Sequence, residues 1–401
     1  MYEFKTELSE GDEIGYKKLR LTQGRPAKQP MKEGSLKVAF VHDWLVTYRG
    51  GERVLEAMLE LYPEAPIYTL FYERKNMPAL INSRNIITPK YLKKMQRIRK
   101  ALLPIYPILI ESFPLEKYDL VISTSSCVAK GVITGPNTKH ISYIHSPMRY
   151  IWDQREHYAH SFHKVPGGRL LFATLSSMLR MWDVTSTNRV SKLIANSRFV
   201  AKRINNYYNR EATVIHPPIE LAKYGEGTPT KAPYYLLAGA FVSYKRFELA
   251  IEACNRMNLK LIVAGSGPME DSWRKLGGSN TEFIINPDDT TWINLLQKAK
   301  ALIFPGVEDF GMTAIEAMAA GTPVIALKRG GALDFIEEGV SGVFFKEPTV
   351  ESLVSTIKIF EQTTDHYKID QLRRFSDKFS KQSFMDRFKC EVDKLIAETT
   401  V

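Results

Sequence analysis

The sequence predicts an α/β protein made of two parallel-sheet halves facing a central cleft. Three observations carry that reading. Short apolar runs alternate with segments of helical period from Leu36 to Ile215, and the alternation restarts at Tyr235 and continues to Leu327. Strands that alternate with helices form parallel sheets. Between the two series lies residues 217–233, a stretch with Pro217, Pro218, Gly225, Pro229 and Pro233 that fits a linker. The third observation is Ala301–Leu327, which reads strand, loop, helix, strand. That is one βαβ unit, and ligands of such sheets bind beyond the carboxyl ends of the strands. The halves are then two Rossmann-like domains, residues 36–216 and 234–380. Residues 1–35 are a polar N-terminal extension, and residues 381–401 form a closing helix.

A chain of 401 residues has length for two to three domains. With 44% hydrophobic and 25% charged residues it is an ordinary globular composition. No apolar run is long enough to span a bilayer, and Met1–Arg20 has no apolar leader region. Cys127, Cys254 and Cys390 lie far apart and read as reduced thiols of a cytoplasmic protein. The net charge of +11 favours an acidic partner: nucleic acid, anionic lipid or a phosphorylated substrate.

In the first half, Leu36–Val41 is a buried strand, followed by His42-Asp43-Trp44, Gly50-Gly51 and the helical Glu52–Leu61. Glycine lets backbone approach a ligand, and a helix start offers N–H groups to phosphate. The spacing is not the dinucleotide G-x-G-x-x-G. A turn with two flexible glycines explains this stretch equally well. Pro66–Phe71, Tyr118–Ser123, His140–Ile144 and Lys192–Asn196 are further strands, and Ser197 caps a helix over Phe199–Tyr208. His145 follows a strand directly, at the end that faces the cleft. His157, His160 and His163 recur every third residue and read as surface histidines.

From Ser83 to Lys100 the chain carries Arg84, Lys90, Lys93, Lys94, Arg97, Arg99 and Lys100 and no acidic residue. Leu92, Met95, Ile98, Leu102 and Leu103 interleave at helical spacing. The segment reads equally as a solvated basic helix face and as an amphipathic helix lying on anionic lipid. Tyr91 is its one aromatic for base stacking, so nucleic acid fits less well.

In the second half, Tyr235–Ala238, Lys260–Ala264, Glu282–Ile285, Ala301–Phe304 and Val324–Leu327 are strands. Phe247–Met257, Thr291–Lys300 and Thr313–Ala320 are helical. Gly265-Ser266-Gly267-Pro268 closes a strand in a tight turn, and Gly321 fits the position just past a helix. Glu308 lies on the loop after Ala301–Phe304, and Glu316 lies in the first turns of the next helix, seven residues apart. Paired carboxylates there suit metal, acid–base or sugar chemistry. Each can accept bonds from two neighbouring hydroxyls. Gly311, Met312 and Thr313 present free N–H groups at the helix start, an anion site. Hydroxyl acceptors beside a phosphate site describe a nucleotide-sugar pocket.

Glu308-Asp309-Phe310-Gly311, with Glu316-Ala317-Met318-Ala319 and Gly321-Thr322-Pro323-Val324-Ile325-Ala326, resembles the signature of glycosyltransferase family 4. Those are retaining, nucleotide-sugar-dependent enzymes of the GT-B fold. The likeness extends through His42-Asp43-Trp44, Gly50-Gly51-Glu52-Arg53 and the stretch Tyr143–Asp153, roughly residues 36–396. It is strongest with members that transfer mannose or a related hexose in surface-polysaccharide assembly. The resemblance implies a hexose, mannose favoured, moved from a nucleotide-diphosphate sugar, GDP-mannose favoured, to a saccharide or lipid-linked acceptor. It implies no metal or other cofactor, no nucleic-acid partner, and a peripheral place on the inner membrane face, reached through Lys90–Lys100.

The resemblance also assigns roles. Lys245 and the amides of Gly311, Met312 and Thr313 hold the diphosphate, Glu316 takes the ribose hydroxyls, and Glu308 takes the transferred sugar. His145 contacts sugar or phosphate from the opposite domain. Gly50 and Gly51 lie near the donor phosphate, and Arg246, Gly265, Gly267 and Phe310 complete the donor pocket. The last helix, with Phe384, Phe388, Val392, Leu395 and Ile396 on one face, crosses back onto the first domain. The chain departs from the family at one place. Members carry Gly-Arg at the second domain's first strand and lysine six residues after the glycine. Gly239 and Lys245 match, but Ala240 replaces the arginine, which removes a permanently charged fork. Either Arg246 compensates or Lys245 acts with helix N-termini alone. The competing readings are a nucleotide-sugar binder without transfer activity and a sugar-nucleotide epimerase of the same fold.

Overall fold

The computed structural model describes residues 36–153, 168–225 and 229–398. The extension over residues 1–35 and the trio His157, His160 and His163 lie outside the described residues.

Among the described residues, thirteen strands form two sheets, parallel throughout. The first contains β1 (Val38–His42), β2 (Ile67–Thr69), β3 (Ile86–Ile87), β4 (Leu120–Ser125), β5 (Lys139–Ile144), β6 (Lys192–Ala195) and β7 (Thr213–Val214), in the order β3-β2-β1-β4-β5-β6-β7. The second contains β8 (Tyr234–Ala240), β9 (Lys260–Ser266), β10 (Thr281–Ile285), β11 (Ala301–Phe304), β12 (Val324–Leu327) and β13 (Gly342–Phe345), in the order β10-β9-β8-β11-β12-β13. Every residue of β1, β4, β11 and β12 is buried, as expected where helices cover both faces of a parallel sheet. That two-sided burial is why these strands read as unbroken apolar runs.

Strand order reverses between β1 and β4 in the first sheet and between β8 and β11 in the second. Loops leaving such a pair diverge to opposite faces and open a crevice at the strands' carboxyl ends. The carboxyl end of β1 carries His42 and Asp43, and that of β8 carries Gly239 and Ala240. The two crevices face each other.

The closing helix Lys381–Ala397 starts at Ser380, whose hydroxyl accepts from the Ser383 amide. Its Phe384, Phe388, Val392 and Leu395 pack in the same core as β1, β4 and β5. The Phe384 ring meets Tyr143 of β5 edge-on at 5.9 Å. A helix encoded at the end of the chain is thus part of the first half's interior.

The basic segment differs from its sequence reading. Ile86–Ile87 pairs with β2 as the sheet's outer strand, and Pro89 then opens a 3₁₀ helix over Lys90–Ile105. A proline without an N–H suits a helix start, and the tighter winding redistributes the apolar residues. Leu92 and Leu102 are buried, whereas Tyr91, Ile98 and Ile105 are exposed.

Candidate active site

The two crevices merge into one cleft of about 580 Å³ between the sheets. Two helices point their first turns into it, Gly50–Leu61 from the first half and Met312–Ala319 from the second. They nearly touch. A Cβ on Gly50 would lie 2.7 Å from the Met312 Sδ, and one on Gly51 would lie 3.5 Å from His145 Nε2. At Gly50 an added Cβ would push the flexible Met312 side chain aside, whereas at Gly51 it would make only an ordinary contact with His145. Gly311 precedes the second helix at φ 115°, a left-handed conformation that side chains rarely adopt, with Phe304 and Phe335 filling the space beside it.

Lys245 and Glu308 form one ion pair in the cleft. The Lys245 Nζ donates to Glu308 Oε1 at 2.7 Å, and the lysine is buried. Gly239 makes room for it, since a Cβ there would lie 2.8 Å from Nζ. Glu316 forms a second pair, across the cleft. It is 3% exposed, accepts from Arg53 Nη1 of the first half at 2.5 Å, and accepts from Trp292 Nε1 at 3.3 Å.

Asp309 and Asp334 clasp the halves together. Asp309 accepts from Arg149 Nε at 3.1 Å and from Arg203 Nη1 at 2.7 Å, while its backbone carbonyl accepts from the Ser197 hydroxyl at 2.5 Å. Asp334 accepts from the Arg198 amide at 2.7 Å and pairs with His216 Nε2 at 3.0 Å. The His216 ring stacks on Phe310 at 5.2 Å, so the connector between the halves rests on the loop that carries Glu308.

His145 sits at the end of β5, with Asn196 Nδ2 donating to its carbonyl at 2.9 Å. Burial, and then the neighbouring His42, push its pKa down to about 3. The imidazole is therefore neutral at physiological pH, and its Nε2 has no hydrogen-bond partner among the described residues. His42 Nδ1 lies 2.6 Å from the Thr124 hydroxyl, and its Nε2 lies 3.6 Å from Glu52 Oε1. Burial alone would raise the Glu52 pKa, but the neighbouring His42 and the hydrogen bond from the Arg49 amide outweigh it and hold the carboxyl below its usual range.

His140, on the same strand, is also pushed down to about 3, by burial first and then by Arg189 and Arg210. Unfolded imidazoles protonate near pH 6.5, whereas these two folded ones do not until about pH 3. Between those limits the unfolded chain binds the extra protons, so stability is present above pH 6.5 and is lost as pH falls. Each histidine should cost roughly 1.4 kcal/mol per pH unit in that window. Denaturant midpoints measured between pH 7 and 5 should fall, and His140→Gln should flatten the slope. An equal slope in that variant would show that His140 is not a source.

His145, Lys245, Glu308, Phe310, Gly311, Met312, Thr313, Glu316, Gly50, Gly51 and Gly265 all line the cleft. Two expected donor residues do not. Arg246 caps the helix Phe247–Met257 at φ 52° and pairs with Glu248 at 2.5 Å, because the first-turn carboxylate draws the guanidinium aside. Gly267 packs against the backbone of Phe241 and lies behind the cleft wall. Arg53, Arg149, Tyr244, Trp292 and Asp309 do line the cleft, and sequence reasoning gave them no role. Arg53, Arg149 and Asp309 stand inside the quoted motifs, which was a usable signal. Among the described residues, no group of three or more His, Cys, Asp or Glu side chains is placed to hold a metal ion.

Comparison with known proteins agrees with this geometry. The family described as "Glycosyltransferase Family 4" matches residues 48–223, and "Glycosyl transferases group 1" matches residues 219–377. The chain belongs to the family 4 glycosyltransferases, proteins of the GT-B fold. It is 28% identical over 166 residues to O-antigen chain mannosyltransferase C of Escherichia coli, covering 39% of this chain and 45% of that protein. It is 34% identical over 114 residues to an alpha-1,3/1,6-mannosyltransferase of Dictyostelium discoideum, covering 28% of this chain and 27% of that protein. The chain thus spans less than half the length of these two curated relatives. HepE of Anabaena, solved in complex with UDP, superposes with a TM-score of 0.68 at 15% identity, covering 90% of this chain and 100% of that one.

Proposed function

We propose that the protein transfers a hexose with retention from a nucleotide-diphosphate sugar, mannose from GDP-mannose favoured, to a saccharide or lipid-linked acceptor. The observation that carries this reading is the placement of Glu308 and Glu316 on either side of the start of Met312–Ala319, with Lys245 on Glu308. Two hydroxyl acceptors, a helix N-terminus and a cation match a sugar, a ribose and the diphosphate between them. The mannosyltransferase names of two relatives and the UDP bound to HepE support the donor class.

In this reading Glu316 accepts from the ribose diol, and Glu308 accepts from hydroxyls of the transferred sugar. Lys245 and the amides of Gly311–Thr313 stabilise charge as the diphosphate departs, where preorganised dipoles have their largest effect. The acceptor oxygen forms its bond to the anomeric carbon on the face from which the carbon–phosphate-oxygen bond breaks. The departing phosphate oxygen takes the acceptor's proton. His145, neutral at working pH, hydrogen-bonds sugar or phosphate and is not a proton source. A panel of GDP-, UDP- and dTDP-sugars, assayed for binding and then turnover, tests the reading. Turnover with GDP-mannose is expected. Binding without turnover would favour a nucleotide-sugar binder, and no binding would end the proposal.

A lipid-linked acceptor would place the enzyme at a membrane surface. No described helix is long and apolar enough to cross a bilayer. Tyr91 and Ile98 are nevertheless exposed along the segment that carries the basic run, Ile108 is exposed on the helix Tyr106–Glu111 that follows it, and the helix Gly168–Thr187 exposes Leu170, Leu171, Met178 and Met181. Apolar groups beside cations suit an anionic interface, where each basic residue contributes about 1 kcal/mol. The protein should co-sediment with phosphatidylserine-containing vesicles and much less with neutral ones. Equal binding to both, or none to either, would leave the run as a solvated face.

A further inference from the structure

The second half's cleft wall is short of positive charge for a diphosphate. Its one lining cation among the described residues, Lys245, is matched by Glu308 at 2.7 Å. Ala240, at the carboxyl end of β8, brings none, and Arg246 is turned onto Glu248. The opposite wall supplies what is missing. Arg149 leaves the loop after β5, crosses the cleft, and lays its guanidinium 5.0 Å over the ring of Tyr244, the residue immediately before Lys245. One edge of the fork, Nε and Nη2, is held on Asp309. Nη1 makes no hydrogen bond among the described residues, and the side chain is 23% exposed into the cleft.

We infer that Arg149 is the second diphosphate-binding cation, delivered by the first half in place of the arginine that Ala240 lacks. This rests on the nucleotide-sugar reading above. A planar fork with a free N–H donor suits a phosphate oxygen better than a lysine does. Asp309 does not lose its partner when Arg149 engages a phosphate, because Arg203 Nη1 holds its other oxygen at 2.7 Å. Arg149 also ties the phosphate site to domain closure. The arginine is rooted in the first half and its target lies on the second, so the cation pair exists only when the halves meet. Ala240 fits the arrangement, since an arginine there would compete for the same phosphate.

Calorimetric titration with GDP, UDP and the corresponding monophosphates tests this on the full chain. Charge-assisted bonds contribute about 1.5–3 kcal/mol, so Arg149→Ala should weaken diphosphate binding about tenfold or more. Monophosphate binding should weaken less. Arg149→Lys should recover part of the loss, and Arg149→Ala with Ala240→Arg should recover most of it. Ala240→Arg alone should give no gain. Arg203→Ala, which breaks the same clasp outside the cleft, should lower the melting temperature while leaving the ratio of diphosphate to monophosphate affinity unchanged. The inference is overturned if Arg149→Ala binds as the parent does, or if it loses both ligands equally, as Arg203→Ala would through the clasp. If the parent binds neither GDP nor UDP, the nucleotide-sugar reading fails and this one with it.

Discussion

Glu316→Ala is expected to cut transfer by raising the donor KM about a hundredfold or more. The carboxylate is buried and stands at the start of the helix Met312–Ala319, where Arg53 and Trp292 hold its two oxygens. A ribose diol arriving there donates two hydrogen bonds to an anion. Bonds of that kind contribute about 1.5–3 kcal/mol, and 1.4 kcal/mol is a factor of ten. Alanine removes both acceptors and leaves Arg53 facing the pocket. Arg53 is 43% exposed on its side chain, so water can take over its hydrogen bonds and the fold should lose little. A melting temperature close to the parent's would confirm that the loss lies in binding. Glu316→Gln keeps one carbonyl acceptor and should fall between the two. Glu308→Ala should behave differently, lowering kcat more than it raises KM, because its contact is to the sugar whose bond breaks. An unchanged donor KM in Glu316→Ala would remove the ribose role.

Much of the second half was legible because its strands are apolar on both faces. Ala301–Phe304 and Val324–Leu327 are observed with the limits the sequence suggests, and Gly321 stands just past the helix at φ 81°. The basic run winds differently from the helix its spacing suggests, for a physical reason. Its apolar residues do repeat at helical spacing, but Ile86–Ile87 satisfies its backbone on β2 and Pro89 restarts the chain. Helix Gly168–Thr187 was not anticipated from the sequence, and it carries Leu170, Leu171, Met178 and Met181 on its solvent face. The site's carboxylates were readable as a local pattern. Their partners were not, because Arg53 is 263 residues from Glu316 and Arg149 is 160 from Asp309. Arg246 is adjacent to Lys245 in sequence, whereas Arg149 meets Tyr244, the residue before Lys245, only in space. A pairing across a cleft is written in how two domains face each other, and no window of sequence contains it.

The same distance hid Asp43, whose replacement by alanine should be among the most destabilising changes in the first half. Asp43 follows β1 and is 3% exposed. Its Oδ2 accepts from the amides of Ser126 at 2.6 Å and Cys127 at 2.9 Å, and its Oδ1 accepts from those of Val128 and Ala129 at 2.7 Å each. Four consecutive N–H groups leaving β4 converge on one carboxylate, and that convergence shapes the crevice between β1 and β4. Each buried donor left unsatisfied costs about 1–3 kcal/mol. Water can enter for some of them, so the expected loss is about 4 kcal/mol or more rather than the full sum. For a half of this size that is about 8–16 °C in Tm. Asp43→Asn separates the anion from its shape. Asparagine fills the same volume, but its amide nitrogen would oppose two of the four donors, so it should be nearly as damaging as alanine. Thermal melts of both variants decide the matter, and an asparagine variant as stable as the parent would show that the negative charge is unneeded. Donor binding should weaken along with stability, because Ser126 lines the cleft and the neighbouring His42 stands beside His145. A loop that is held by one carboxylate cannot be loosened without disturbing both.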